Sequence, residues 1–68
     1  DALMHYNDLK KQYEKALQEL PEKQRTVFLM NRMEGLTYNE IAERLAISAK
    51  AVEKRMSNAL TILKKILR

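Results

Sequence analysis

The side chains best suited to chemistry in this sequence are cationic, and they gather near its end. Residues 49–68 contain six Lys or Arg and one acid, Glu53, whereas residues 1–48 contain seven Lys or Arg and eight Asp or Glu. The net charge of +4 therefore divides into −1 for the first segment and +5 for the second. Such a block binds phosphates in nucleic-acid proteins, but charge alone also fits a solvated helix face or a membrane surface.

Helical spacing separates this basic segment into an apolar side and a polar side. At roughly 100° per residue, one side carries apolar side chains within about 60° of Val52. These residues, which we expect to be buried, are Met56, Ala59, Leu63, Ile66 and Leu67. The opposite side is polar and free of acids: Lys50, Lys54, Ser57, Asn58, Thr61, Lys65 and Arg68. An ordinary solvent face mixes both signs, so this side predicts a surface for an anion.

DNA fits this polar side better than a membrane does. The side lacks the Trp, Phe or Leu side chains that an interfacial helix inserts into lipid, so we expect no membrane partner. Ser48 is a good N-cap, and the helix start that follows it would offer unpaired N–H groups to a phosphate. Lys50, Lys54 and Asn58 lie one helical turn apart and would reach base edges or phosphates in the major groove.

Glu53 is the one acid in this segment, and its role stays open on the sequence. It lies about 100° from the centre of the apolar side. A carboxylate near a DNA groove repels phosphates but accepts a hydrogen bond from cytosine N4, and so serves specificity. An ion pair within the helix, with Lys50 or Lys54, explains the residue equally well.

Catalysis and metal binding find little support. The chain has no Cys and a single His, His5, which excludes disulfides, thiolate catalysis and a Cys or His metal set. No phosphate-cradling glycine loop is present, nor a nucleophile with a base at recognisable spacing. We therefore expect no enzyme, no cofactor and no metal, and we expect His5 at the surface.

Length and composition limit the architecture to one small helical domain. The chain has 68 residues, 46% of them hydrophobic, with one Gly and one Pro, and its apolar residues recur every three or four positions. The predicted all-α fold has four helices: about Ala2–Glu19, Pro21–Glu34, Tyr38–Leu45, and from the Ser48 cap to about Leu67. Because the chain starts at Asp1 and has no targeting segment, we expect residues 1–68 to be one domain of a longer cytoplasmic protein.

Local signals mark the ends of these helices. Pro21 suits the first turn of the second helix, and Gly35 suits its left-handed closure. Thr37 and Glu40 have the spacing of a capping box, which starts the third helix. A two-turn helix, the turn 46–48 and a longer helix form the layout of a helix-turn-helix. The other expected core positions are Leu3, Tyr6, Leu9, Tyr13, Ala16, Leu17, Leu20, Val27, Phe28, Met30, Met33, Ile41, Leu45 and Ile47.

An ordered set of short motifs resembles a known family. The motifs are Leu20–Phe28 (LPEKQRTVF), Glu34–Leu45 (EGLTYNEIAERL), Ile47-Ser48 and Ala51–Glu53 (AVE). Together they are similar to region 4, the C-terminal promoter-recognition domain of extracytoplasmic-function (ECF) sigma factors of the sigma-70 family, over almost the whole chain. The resemblance implies a four-helix domain with a C-terminal helix-turn-helix at about 38–67, of winged-helix-like type without a wing.

The resemblance also implies partners and contact residues. The fourth helix would bind the −35 element of double-stranded promoter DNA, and the first helices would bind the β-subunit flap of the RNA polymerase core. An anti-sigma factor would compete for the same surfaces. Carried onto matching positions, the groove-facing residues are Lys50, Ala51, Glu53, Lys54, Ser57 and Asn58. The residues near phosphates are Thr37, Tyr38, Ser48 and Arg55.

The chain departs from the family pattern in two respects. Ala46 stands in the turn where many relatives have Gly, and a left-handed Ala costs on the order of 1 kcal/mol. Glu53, Ser57 and Asn58 stand at positions where Arg is frequent in the family. We therefore expect this chain to bind a promoter sequence different from those that such relatives bind.

Two alternatives accompany the sigma-factor interpretation. The helix-turn-helix output domain of a response regulator has a similar Glu-Ile-Ala and Ile-Ser-x-Lys pattern, although the LPEKQR motif and the long helix before it favour a sigma factor. A helical protein-interaction module is the alternative of another class, in which the basic face meets an acidic protein and DNA is never bound.

Overall fold

The fold consists of four α-helices. The computed structural model describes the backbone of residues 2–67 and the side chains of residues 8–67. The helices are α1 (Ala2–Glu19), α2 (Glu22–Arg32), α3 (Tyr38–Leu45) and α4 (Ala49–Ile66), and residues 2–67 contain no strand. The predicted all-α fold is therefore confirmed. The predictions for His5, Leu3, Tyr6 and the Arg68 side chain lie outside the described residues.

Helix α4 is the element around which the others pack. Its contact with α2 is the most extensive, the contact with α3 follows, and α1 touches it less. Val52 and Ile41 are fully buried, as predicted. The buried core consists of Ala16, Leu20, Val27, Phe28, Met30, Ile41, Ala42, Val52, Met56, Ala59 and Leu63. Leu45 and Ile47 are half-buried and pack against it.

Five residues expected in the core are exposed instead. Met33 is 76% exposed and Leu9 is 52% exposed, and Tyr13, Ile66 and Leu67 are also exposed. Helical spacing identifies the apolar face of a helix but not where the neighbouring helix ends. Among the described side chains of α1, from Asp8 onward, the first buried one is Ala16. The core prediction is wrong at these five positions.

Helix α2 is shorter at both ends than predicted. Pro21 has ψ 147° and is the N-cap rather than part of the first turn. Its carbonyl accepts the N–H groups of Gln24 and Arg25 at 3.0 and 2.9 Å. The helix ends at Arg32 rather than Glu34 because the chain turns at Gly35, which has φ 70°. The N–H of Leu36 then donates to the carbonyl of Met30 at 3.1 Å.

The corner between α1 and α2 is closed by an arginine. Arg25 Nη1 donates to the carbonyls of Gln18 and Leu20, at 3.2 and 3.4 Å. These carbonyls lie at the C-terminal end of α1, where the last carbonyls of a helix lack partners within the helix. The charged hydrogen bonds therefore fix the direction of α1 relative to α2.

The turn between α3 and α4 contains a left-handed alanine. Ala46 has φ 56° and ψ 44°. Its N–H donates to the carbonyl of Glu43 at 3.3 Å, and the N–H of Ile47 donates to the carbonyl of Ala42 at 3.0 Å. This pair of bonds is the Schellman motif, which favours Gly at the left-handed position because a Cβ is strained there. The strain anticipated at Ala46 is therefore present.

We predict that Ala46→Gly stabilises the domain. Removing the Cβ relieves about 1–2 kcal/mol of left-handed strain, and the greater freedom of Gly in the unfolded chain offsets about 0.4–1 kcal/mol. The net gain of about 0.5–1 kcal/mol should raise Tm by about 2–8 °C in a thermal melt followed by circular dichroism. The matched control is Ala51→Gly, within right-handed α4, which should lower Tm. A lower Tm for Ala46→Gly would contradict this account of the turn.

Candidate nucleic-acid interface

The start of α4 is held by Ser48. Its Oγ accepts the N–H of Ala51 at 3.0 Å, and its carbonyl accepts the N–H of Val52 at 3.2 Å. This is the N-cap predicted from the sequence. The N–H groups of Ala49 and Lys50 precede the first intrahelical bond, so they point out of the helix start and can donate to an anion.

The polar side of α4 is open to solvent. All of its described members are exposed, as predicted: Lys50, Lys54, Ser57, Asn58, Thr61 and Lys65. The hydroxyl of Thr61 donates to the carbonyl of Ser57 at 2.9 Å, so its proton is engaged within the helix. This polar side, which we call the cationic face, is therefore accessible along the described length of α4. Val52 and Met56 are buried on the other side of the helix.

A shallow depression lies on the first turns of α4. It encloses about 630 Å³, and its lining residues are Ser48, Lys50, Ala51, Glu53, Lys54 and Ser57. Ala51 is half-buried and short, while its polar neighbours in the depression are exposed. A ligand can thus approach the helix backbone closely at Ala51, between longer side chains. The structure brings together here six of the ten residues predicted to contact DNA.

The other four predicted contact residues do not line this depression. Asn58 is exposed further along α4, and Arg55 is half-buried on its flank. Tyr38 is half-buried and packs against the core. Thr37 is exposed, but its hydroxyl accepts the N–H of Glu40 at 3.1 Å.

The start of α3 already holds an acid. The N–H of Thr37 donates to Glu40 Oε1 at 2.9 Å, which completes the predicted capping box. Hydrogen bonds from the Thr37 backbone and side chain, with a smaller contribution from the positive charge of Arg44, hold the pKa of Glu40 below its usual value. Glu40 is thus a carboxylate at neutral pH, and a phosphate near Thr37 would meet its negative charge.

Among the side chains of residues 8–67, the cations of α4 have no acidic partner within 4.0 Å. Among residues 8–67 the ion pair within 4.0 Å joins Arg44 to Glu34, both exposed and both outside α4. The charges of Lys50, Lys54 and Lys65 are therefore not neutralised by any described side chain. The described residues include no cluster of His, Cys, Asp and Glu that could hold a metal ion. None of the described helices combines the length and apolarity needed to cross a membrane.

A second surface feature, an apolar groove, was not predicted. It encloses about 480 Å³, and its lining residues are Tyr13, Phe28, Arg32, Leu60, Leu63, Lys64 and Leu67. The ring centroids of Tyr13 and Phe28 are 6.4 Å apart, with the rings tilted by 53°. The guanidinium of Arg32 lies 5.8 Å from the Phe28 centroid, a cation–π distance. Both charged lining residues are basic, so the groove combines apolar walls with a positive rim.

Part of the signal for this groove was visible in the sequence. Phe28 and Arg32 are four residues apart, as are Leu60 and Lys64, and such pairs share a helix face. The groove also needs α1, α2 and α4 to meet near the end of α4. That meeting depends on packing between distant segments, which the spacing within each helix does not reveal.

The arrangement of α3, the turn and α4 defines a class of protein. A short helix, a turn with a left-handed residue, and a longer helix with a buried side and a cationic side form a helix-turn-helix DNA-binding domain. A family model described as Sigma-70, region 4 matches residues 10–63, which is most of the chain and includes all of α3. The chain therefore belongs to the sigma-70 region 4 family, a DNA-binding family without enzymatic activity. No curated protein and no solved structure gives a significant match.

Family membership confirms the broader predictions. The chain has a sigma-factor-type DNA-binding role in transcription, and the family interacts with DNA and RNA polymerase. Membership of this family favours neither of the two alternatives, the response-regulator output domain and the protein-interaction module.

We predict that acid weakens the start of α3. Because the folded-state pKa of Glu40 is lowered from 4.5, its contribution to stability is present above about that pH and is lost as pH falls through the lower folded-state value. In melts from neutral pH down to about pH 3, the unmodified chain should lose more Tm than Glu40→Gln, whose amide keeps a capping bond and does not titrate. Tm curves that stay parallel across this range would refute the prediction.

Proposed function

We propose that the chain is the promoter-recognition domain of an ECF sigma factor, which binds the −35 element through α4 and acts in the cytoplasm. The observation that carries this proposal is the exposed face of α4, whose cations pair with no described acid. The helix itself is capped at its N-terminus by Ser48. A face of this kind supplies the favourable electrostatic contacts to phosphates on which DNA affinity largely depends.

Docking of α4 follows from these contacts. The helix start at Ser48 lies against one strand, with the N–H groups of Ala49 and Lys50 directed at a phosphate. Lys50, Lys54 and Asn58 then lie along the major groove. A four-residue step is about 6 Å along the helix, so successive side chains meet base edges or phosphates about one to two base pairs apart. Arg55, on the flank of α4, lies toward the sugar-phosphate backbone of the DNA.

The remaining predicted contacts are phosphate contacts from α3. The Thr37 hydroxyl accepts the N–H of Glu40, and its single proton, which helps to hold the Glu40 carboxylate, reaches a phosphate only by turning away from that carboxylate. The Tyr38 hydroxyl is the second donor of this region. The carboxylate of Glu40 opposes close approach at this point, so α3 contributes positioning rather than most of the affinity.

The polymerase contact is assigned to the apolar groove. We infer that the β-subunit flap of the RNA polymerase core packs between Tyr13, Phe28 and Leu60, because an exposed groove of this size fits one amphipathic helix. An anti-sigma factor would compete for this surface. The groove is lined from α1, α2 and the later part of α4, whereas the depression lies on the first turns of α4. DNA and polymerase can therefore be bound together, and tethering to polymerase raises the effective concentration of α4 at the promoter.

For DNA binding we predict a steep salt dependence that Lys54 helps to produce. With about five phosphate contacts, log K should fall with log salt at a slope of about −4 to −5, and Lys54→Ala should reduce its magnitude by about one. The measurement is fluorescence anisotropy of a labelled duplex titrated with the chain at several salt concentrations.

The matched control for Lys54 is Lys23→Ala. Lys23 is exposed on α2, outside both the depression and the groove, so the variant has the same loss of charge and should retain the slope of the unmodified chain. A slope near zero for the unmodified chain would overturn DNA binding. Equal slopes for Lys54→Ala and Lys23→Ala would remove Lys54 from the interface.

For polymerase binding we predict that Lys64→Glu weakens the complex about fivefold, because it reverses one exposed rim charge. The measurement is the affinity of the labelled chain for RNA polymerase core in the absence of DNA. Lys23→Glu makes the same charge reversal away from the groove and should leave the affinity close to its original value. If the two variants bind polymerase equally well, the groove is not the contact.

A further inference from the structure

Glu53 is an exposed carboxylate at the edge of the cationic face of α4. It lines the depression together with Lys50, Lys54 and Ser57. The described residues give it no ion-pair partner within 4.0 Å, although Lys50 and Lys54 are near in sequence. The explanation of Glu53 as the partner of one of these lysines therefore has no contact to support it.

The position of Glu53 makes its charge costly for general DNA binding. In a face directed at phosphates, an unpaired carboxylate repels the ligand that the neighbouring lysines attract. This carboxylate lines the depression on the first turns of α4, which also includes Ala51, whose short side chain leaves room for a base edge to come close. The acid therefore lies where a base edge can meet it, and a base that donates a hydrogen bond can offset the repulsion.

The chemistry of base edges in the major groove leaves one base as a suitable hydrogen-bond partner for the Glu53 carboxylate. A carboxylate only accepts hydrogen bonds, so it needs a donor. Guanine presents the acceptors N7 and O6, and thymine presents the acceptor O4 and a methyl group. Adenine has the N6 donor but also the acceptor N7 beside it, which repels a carboxylate. Cytosine presents the N4 donor with no acceptor of its own in this groove.

We propose that Glu53 is a specificity-determining residue that makes this domain require a cytosine at one position of its DNA site. The inference rests on the proposed function, since it assumes that α4 lies in the major groove. Lys50 and Lys54 supply affinity on either side, while Glu53 lowers affinity for every sequence that lacks the cytosine. Specificity arises here through repulsion of the wrong bases as much as through attraction of the right one.

The test compares bound sequences for three versions of the chain. Duplexes are selected from a random pool by the unmodified chain, by Glu53→Gln and by Glu14→Gln at the same salt concentration, and are then sequenced. Glu14 is exposed on α1 and lines neither the depression nor the groove, so Glu14→Gln makes the same change of charge without touching the interface.

The expected result is a cytosine at one position for the unmodified chain and for Glu14→Gln. Glu53→Gln should lose that preference, or exchange it for adenine, which Gln binds through N6 and N7. Discrimination against the other bases at that position should fall about 5- to 150-fold in direct titrations, while the preferences at other positions persist.

Two results would overturn the inference in distinguishable ways. If the unmodified chain selects a motif without the cytosine, or Glu53→Gln retains it, Glu53 does not read a base and the proposed function still stands. If no version binds any duplex in a salt-dependent manner, the proposed function fails and the inference fails with it.

Discussion

Burial of one side of α4 is the interaction on which the rest of the structure depends. Val52, Met56, Ala59 and Leu63 lie in the core against α2 and α3. Each large apolar side chain buried in this way contributes about 1.5–3 kcal/mol to the stability of the folded state. Because only one side of α4 is apolar, this burial fixes the rotation of the helix about its axis. The same rotation turns the lysines outward. Stability and DNA binding are therefore two results of one orientation, and a change that rotates α4 alters both.

Two local devices hold α4 at its angle to α3. The Schellman bonds around Ala46 end α3, and the Ser48 cap begins α4 two residues later. In this short turn the N–H groups of Ala46 and Ile47 serve the end of α3 and the carbonyl of Ser48 serves the start of α4. Ala46 accepts strain at the one position where Gly would relieve it. The helix-turn-helix keeps its geometry because the hydrogen bonds and the packing of Ile47 outweigh this strain.

The sequence predicted those features that depend on neighbouring residues and missed those that depend on distant ones. The bounds of α1 and α3, the capping box at Thr37, the Ser48 cap and the burial of Val52 follow from local spacing and local hydrogen bonds. Met33 was placed in the core because it continues the apolar pattern of α2, yet the chain turns away there. The exposure of Lys50, Lys54 and Ser57 could be predicted because spacing within one helix determines it, whereas Ala51 was indicated only by the family resemblance and the groove needs three helices. The base that α4 contacts depends on the side chains of this one helix. The position of α4 in the groove depends on the DNA as well, so the sequence of the protein alone does not predict it.

Helix α1 divides into two parts of different thermodynamic character. From Asp8 to Lys15 every side chain is exposed, whereas Ala16 and Leu20 belong to the core. Apart from Tyr13, whose ring lies against Phe28, the side chains of the first part give its backbone hydrogen bonds little tertiary burial, and short helices are marginal in water without it. Local unfolding of that part would cost far less free energy than global unfolding, so its amide protons are expected to exchange with solvent faster than those of α4. A protein that covered Leu9 and Tyr13 would slow this exchange, and part of its binding energy would be used in ordering the helix.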